Sequence, residues 1–158
     1  MLRNVDKLRS KQQSMLKLIR LLLGAVVFWM INSAGASDLD KKAVYANEKI
    51  GREIGYSQAI RSGDTLYISG SVGKGDMPEA IRQAYDKLKA TLTANGLDFH
   101  NVLKENVFTT DLDAFIKAEE IRKDYYGQDF PAATWVQVQR LYSPSFVVEV
   151  ELTAIFPK

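Results

Sequence analysis

The sequence predicts an α+β domain in which a mixed β-sheet carries two helices on one face. Three observations predict this class: short alternating apolar segments, two longer segments with helical periodicity between them, and turn residues at the junctions. The predicted order is β-β-α-β-α-β-β, which leaves one sheet face to solvent or to a partner. Apolar residues occur on both sides of the last two strands, so self-association through the sheet is expected.

The first half of the domain predicts a hairpin followed by a helix. Residues 57–60 and 65–70 predict two strands joined by a tight turn. Asp76 and Glu79 then form a capping-box pattern, and Pro78 lies in the first turn, where a missing N–H costs nothing. The helix ends at an Asn-Gly pair, and its apolar stripe has three- and four-residue spacing: Ile81, Ala84, Leu88 and Leu92.

The second half predicts strand, helix, strand and strand. Residues 103–110 and 131–141 are the first two strands, and the helix between them is capped by Asp111 or Asp113 and ends at Gly127. The last strand spans 146–156 and places one set of apolar residues on a single face: Phe146, Val148, Val150, Leu152 and Ala154.

Composition excludes several kinds of site. The 158 residues include no cysteine and one histidine, His100, so thiolate chemistry, disulfide scaffolds and multi-histidine metal sites are not expected. Residues 1–36 hold six of the 21 basic side chains and one of the 19 acidic ones, which leaves the remainder with a net formal charge of −3. Because nucleic-acid binding needs excess positive charge, a nucleic-acid partner is not expected.

The first 36 residues predict an export signal. An apolar run at 21–31 follows basic residues and precedes small residues ending at Ala36, the pattern of a secretory signal peptide. The run is too short to span a membrane, although an uncleaved anchor is the alternative. Translation from Met15 instead of Met1 would keep this leader intact. We expect a periplasmic or secreted protein, with 37–52 a polar tether and 53–158 the folded domain.

Residues 53–157 resemble the RidA/YjgF family of reactive-intermediate deaminases, formerly called L-PSP endoribonucleases. The resemblance rests on six short motifs in a fixed order: GYSQAI at 55–60, GDTLYISG at 63–70, VFTTDL at 107–112, FPA at 130–132, VQVQRL at 136–141 and VEVE at 148–151. It implies a chorismate-mutase-like fold and a homotrimer with ligand clefts between subunits. It also implies hydrolysis of enamines or imines to 2-keto acids and ammonia, without a metal or cofactor.

The resemblance also implies the roles of individual residues. Glu149 matches the glutamate that positions the attacking water, and Trp135 matches the residue whose backbone carbonyl assists it. Tyr56 matches a tyrosine that lines the cleft, while Ser69 and Gly70 match its backbone wall. Taken alone, Glu149 could equally be a solvated strand residue, Tyr56 a core aromatic and Trp135 interface packing.

The sequence departs from the family at the residue that binds the substrate carboxylate. Family members carry an arginine there, suited to a bidentate carboxylate, but this chain has Ala133, followed by Thr134. The departure predicts an altered substrate class, with an apolar, uncharged or cationic ligand favoured unless another arginine replaces the missing one. The alternative function is a non-catalytic trimer that binds a metabolite.

Overall fold

The computed structural model describes residues 40–45 and 47–158, so the predicted leader lies outside the described residues. The helices are α1 (Glu48–Ile54), α2 (Met77–Ala94), α3 (Leu112–Lys117) and α4 (Glu119–Tyr126). The strands are β1 (Lys41–Val44), β2 (Ala59–Ser62), β3 (Thr65–Lys74), β4 (Val102–Thr109), β5 (Ala132–Gln137) and β6 (Phe146–Ile155). No helix in the described part combines the length and apolar character needed to cross a membrane.

The six strands form one mixed sheet in the order β1-β2-β3-β6-β4-β5. Strands β4 and β5 are parallel, and every other neighbouring pair is antiparallel. The predicted α+β class is therefore confirmed. The central strand β6 alternates as expected: Val148 and Val150 are fully buried, whereas Glu149 and Glu151 are half-buried on the opposite face.

Helix α2 covers the sheet and supplies much of the core. It begins as predicted, with the Asp76 carboxylate accepting a hydrogen bond from the Glu79 backbone N–H at 2.9 Å. The predicted apolar stripe is fully buried: Ile81, Ala84, Leu88 and Leu92. The start of the helix approaches β3 so closely that a Cβ on Gly73 would overlap the backbone carbonyl of Ala80. Glycine at this position is thus a packing requirement.

The segment expected to be a polar tether contains regular structure from Lys41 onward. Strand β1 pairs with β2 from Lys41 opposite Ser62 to Val44 opposite Ala59. Helix α1 follows, capped by the Asn47 side chain and ended by Gly55 at a φ of 86°. The strand is short, at the sheet edge and mostly exposed. Its backbone ladder does not require an apolar pattern, so the sequence carries little signal for it.

Further boundaries differ from those predicted, and β2 lies two residues later than the predicted 57–60. Strand β3 continues past Gly70 to Lys74, because β6 is long enough to pair with it throughout. The second predicted helix is divided at Ala118, with Asp111 capping its first half. Strand β5 ends at Gln137 instead of continuing to residue 141, because its partner β4 ends at Thr109 and offers no further ladder.

Candidate active site

Gly70 and Glu149 meet where the ladder between β3 and β6 is irregular. The register shifts between Ile68 and Ser71, so Gly70 lies in a bulge opposite β6. A Cβ on Gly70 would overlap the Glu149 carboxyl group, which occupies the space that glycine leaves free. Two hydrogen bonds hold the bulge from the other side: the Ser69 hydroxyl donates to the Ser57 carbonyl at 2.7 Å, and the Ser69 N–H donates to the Gln58 carbonyl at 3.0 Å.

Tyr56 lies between two cavities next to this bulge. The first, here called the edge cavity, has a volume of about 450 Å³ and is lined by Tyr45, Tyr56, Gly70 and residues of α2. The second has a volume of about 510 Å³ and is lined by Tyr56, Ser69 and residues of α1. Tyr56 follows the end of α1, where its N–H donates to the Gly51 carbonyl at 2.9 Å. Tyr56 and Gly70 therefore line the edge cavity, and Tyr56 and Ser69 line the second one, while their role in a cleft stays a prediction.

The electrostatic environment of Glu149 favours its protonated form. Burial raises the pKa of the Glu149 carboxyl group, and the negative charge of Glu151 on the same sheet face raises it further. Glu151 is itself bound by the Asn106 amide at 2.8 Å, whereas no described residue donates a hydrogen bond to the Glu149 carboxyl group. Glu149 is thus a half-buried acid with its hydrogen-bonding capacity available to a ligand or water.

The three residues predicted on β5 lie away from this cluster. Ala133 is exposed and pairs with Glu105 of β4, and the Thr134 hydroxyl accepts a hydrogen bond from Lys104 Nζ at 2.6 Å. In the sheet, Glu149 is opposite Phe108 of β4, which is opposite Val136 of β5. Two strand spacings and three residues along β5 put Ala133 on the order of 14 Å from Glu149. One chain therefore does not bring the two sets together.

The Trp135 side chain has a structural contact that the sequence did not reveal. Its indole N–H donates to Glu105 Oε1 at 3.0 Å, and its ring packs edge-on against Phe115 at a centroid distance of 5.2 Å. The indole points into the interior and lines neither cavity beside Tyr56. The role implied for Trp135 therefore concerns its backbone carbonyl alone, since its ring packs inward.

Glu105 is the centre of a buried polar cluster beneath β5. Its carboxylate is fully buried and accepts hydrogen bonds from Arg122 Nε at 2.7 Å, from the Tyr85 and Tyr126 hydroxyls at 2.8 and 2.7 Å, and from Trp135. Burial, and then the charge of Glu105, raise the pKa of both tyrosines, so their hydroxyls stay neutral donors. Burial would lower the pKa of Arg122, but Glu105 outweighs this effect and raises it. The cluster fixes Trp135, and with it the strand that carries Ala133.

Sequence reasoning missed the α2 side of the edge cavity. Lys87, Ala90, Thr91 and Ala94 line it from one face of the helix. Their spacing of three and four residues was visible in the sequence, but it lacks the large apolar side chains that identify a core stripe. In the described part of the chain, no group of three or more His, Asp or Glu side chains is arranged to hold a metal ion.

The chain matches the family model described as Endoribonuclease L-PSP over residues 47–156. A RutC family protein of Pyrococcus horikoshii is 34% identical over 123 residues, which cover 72% of this chain and 97% of that relative. The human 2-iminobutanoate/2-iminopropanoate deaminase is 37% identical over 109 residues, which cover 63% of this chain and 79% of that relative.

Solved structures show the same fold. The protein YjgH is 30% identical, with a TM-score of 0.67, over 76% of this chain and 99% of its own. A member of the YjgF/YER057c/UK114 family from Mycobacterium tuberculosis has a TM-score of 0.68 over 74% of this chain and 100% of its own. At 24% identity, the second likeness bears on the fold alone.

Proposed function

This chain belongs to the RidA/YjgF family, and we propose that it hydrolyses an enamine or imine, with Glu149 as the residue that handles the proton. The observation that carries this proposal is the half-buried carboxyl group of Glu149, raised in pKa and placed against Gly70 beside the edge cavity. The similarity to the human 2-iminobutanoate/2-iminopropanoate deaminase supports an imine as the reacting group.

The chemistry needs one group that both accepts and returns a proton. Water adds to the carbon of the N-protonated imine while the Glu149 carboxylate accepts a proton from it, which gives a neutral carbinolamine. The protonated carboxyl group then returns this proton to the nitrogen. The C–N bond breaks as the hydroxyl group loses its proton to the Glu149 carboxylate, and the carbonyl product and ammonia leave. A carboxyl group with a raised pKa is better matched to this exchange near neutral pH than an ordinary glutamate. The overall balance is one imine and one water to one carbonyl compound and one ammonia.

The proposed cleft includes residues of two chains. Ala133, Thr134 and the backbone carbonyl of Trp135 lie too far from Glu149 to share a ligand within one protomer. A homotrimer would allow β5 of one protomer to face the edge cavity of the next, which would complete the cleft. We propose this assembly, and we propose export of the protein through the leader predicted at residues 1–36.

Ala133 alters how a substrate is held in this cleft. Its methyl group offers no charge to a carboxylate, and loss of one partner of a hydrogen-bonded charge pair costs about 2–5 kcal/mol. That range corresponds to roughly 30-fold to several thousand-fold in affinity. We therefore propose that the substrate is not held through position 133, in contrast to relatives that bind a carboxylate through arginine there.

The test is release of ammonia and carbonyl product from freshly generated imines by the full-length chain. The panel includes imines with and without a carboxylate, and compares wild type with Glu149→Gln, Glu151→Gln and Ala133→Arg. We expect Glu149→Gln to lose at least 100-fold in turnover, in line with the usual contribution of a general acid–base. The matched control Glu151→Gln should retain activity. Equal turnover by wild type and Glu149→Gln would refute the assignment.

A non-catalytic metabolite-binding trimer is the second candidate. The exposed methyl group of Ala133 favours it, since the cleft would lack the charge that holds a substrate carboxylate from β5. In this case wild type would release no ammonia from any imine, and Glu149→Gln would keep its affinity for the ligand. Gain of activity on carboxylate-bearing imines by Ala133→Arg would show that the cleft is otherwise intact.

A further inference from the structure

Of the described residues that line the edge cavity, Lys87 alone carries a charge. The other lining residues are uncharged, and they include the aromatic side chains of Tyr45 and Tyr56, the amide of Gln58 and the small residues Gly70, Ala90 and Ala94. Lys87 is itself exposed, but the walls of a concave site focus the field of a single ammonium group toward a ligand with a negative group.

The ammonium group of Lys87 has donors to spare. Lys87 Nζ donates to the backbone carbonyl of Val72 at 2.6 Å. An ammonium group has three N–H donors, and none of the ion pairs among the described residues involves Lys87. The bond to Val72 holds the side chain against the strand, while its remaining donors and its charge are left for a ligand.

Lys87 reaches an uncovered part of strand β3. Pairing between β2 and β3 stops at Ala59 opposite Ile68, and beyond that point no strand among residues 40–45 and 47–158 pairs with the outer edge of β3. The face of α2 that passes this edge carries the small residues Ala90 and Ala94, which leave room for the cavity. The long basic side chain of Lys87 extends from α2 across this part of the cavity to the edge of β3.

Lys87 and Glu149 both neighbour Val72 of β3, Lys87 at the outer edge of the strand and Glu149 on the adjacent strand β6. Val72 accepts the hydrogen bond of Lys87 at the outer edge and is directly opposite Glu149 in the ladder with β6. Gly70, two residues earlier, contacts the Glu149 carboxyl group and also lines the cavity. Glu149 does not itself line the cavity, so a small ligand held by Lys87 would reach the Glu149 carboxyl group past Gly70, where the strand has no side chain.

We propose that Lys87 binds the anionic group of the substrate, in place of a cation at position 133. This inference rests on the proposed function and specifies its substrate: an enamine or imine that carries a carboxylate directed toward α2. It replaces the sequence-based preference for an uncharged or cationic ligand, because that preference considered only the β5 side of the cleft.

The test measures binding of unreactive probes, so that it does not depend on turnover. Pyruvate and 2-oxobutanoate serve as anionic probes and pyruvamide as the uncharged one, titrated calorimetrically into the full-length protein. Lys87→Met should weaken pyruvate binding by roughly 10- to 100-fold, the usual value of a charge-assisted hydrogen bond. Lys89 is also exposed on the same helix but does not line the cavity, so Lys89→Met should change pyruvate binding less than about twofold. Lys87→Arg should retain most of the affinity, and thermal melts of all variants check folding.

Three results would overturn the inference: no pyruvate binding by wild type, equal pyruvate binding by wild type and Lys87→Met, or binding of pyruvamide as tight as that of pyruvate. If pyruvate binding depends on Lys87 but wild type hydrolyses no imine, the anion site stands and the catalytic proposal fails. If wild type hydrolyses carboxylate-bearing imines and Lys87→Met leaves KM and pyruvate binding unchanged, the anion site fails alone.

Discussion

Replacement of Glu105 by glutamine is expected to be among the most destabilising single changes in this protein. Four donors converge on its fully buried carboxylate, and the Arg122 side chain opposite it is only 5% exposed. Glutamine keeps the shape but removes the charge, so the guanidinium of Arg122 remains buried without its counter-ion. The amide nitrogen of the introduced glutamine would also be a donor placed opposite hydroxyl or indole donors, where the wild-type carboxylate has an acceptor.

The expected loss follows from the burial of this pair. Removing one partner of a buried ion pair costs about 3–5 kcal/mol, because an uncompensated charge stays in the interior. For a domain of this size, the melting temperature falls by roughly 3–5 °C for each kcal/mol, so a drop of about 10–20 °C is expected. Urea unfolding followed by circular dichroism would give the free energy of unfolding directly.

A matched control and a double variant isolate the ion pair. Glu151→Gln makes the same chemical change at a half-buried glutamate with one neutral partner, Asn106, and should cost about 1 kcal/mol or less. Glu105→Gln combined with Arg122→Met removes both charges and should cost clearly less than the two single changes added together. A loss under about 1 kcal/mol for Glu105→Gln, or strict additivity in the double variant, would refute this reasoning.

Two further predictions concern Glu149 and the glycines of β3. Because burial raises the folded-state pKa of Glu149, its protonated form stabilises the fold at low pH, and this contribution is lost as pH rises through that pKa. As pH rises from acidic to neutral, the free energy of unfolding of wild type should therefore fall relative to that of Glu149→Gln, as measured by urea titrations. A difference that does not depend on pH would contradict the raised pKa. Gly73→Ala should cost about 3 kcal/mol or more, because its Cβ meets the fixed backbone of Ala80. Gly70→Ala should cost less in thermal melts, because the Glu149 carboxyl group can rotate away; equal losses for both would contradict this.

Sequence periodicity predicted the elements whose side chains face a continuous core. Helix α2 and strand β6 were identified with nearly correct bounds, because each must bury one regular set of apolar residues. Strand β1 was missed, since an exposed edge strand is held by backbone hydrogen bonds and needs no side-chain pattern. The early end of β5 was missed for a related reason: the length of its partner β4 decides it.

The candidate site was predictable only in part. The motifs assigned Tyr56, Ser69, Gly70 and Glu149 to one cleft. In the structure Tyr56 lines both cavities, Gly70 lines the edge cavity and contacts Glu149, and Ser69 lines the second cavity. They did not indicate that the Trp135 indole turns inward to Glu105. The donors to Glu105 are 17 to 30 residues away from it in sequence, and no local pattern encodes which buried donors converge on one carboxylate.

The sequence by itself determined the α+β class, the family, the capped helix α2 and the absence of an arginine at position 133. These depend on local propensity, on periodicity or on the identity of one residue, all of which can be read in one dimension. Only the tertiary structure decided that Ala133 lies far from Glu149 in one chain, and that Lys87 supplies the charge of the edge cavity. The first fact depends on the order of strands in the sheet, and the second on which face of α2 meets the edge of β3. Neither can be read from a local pattern in the sequence.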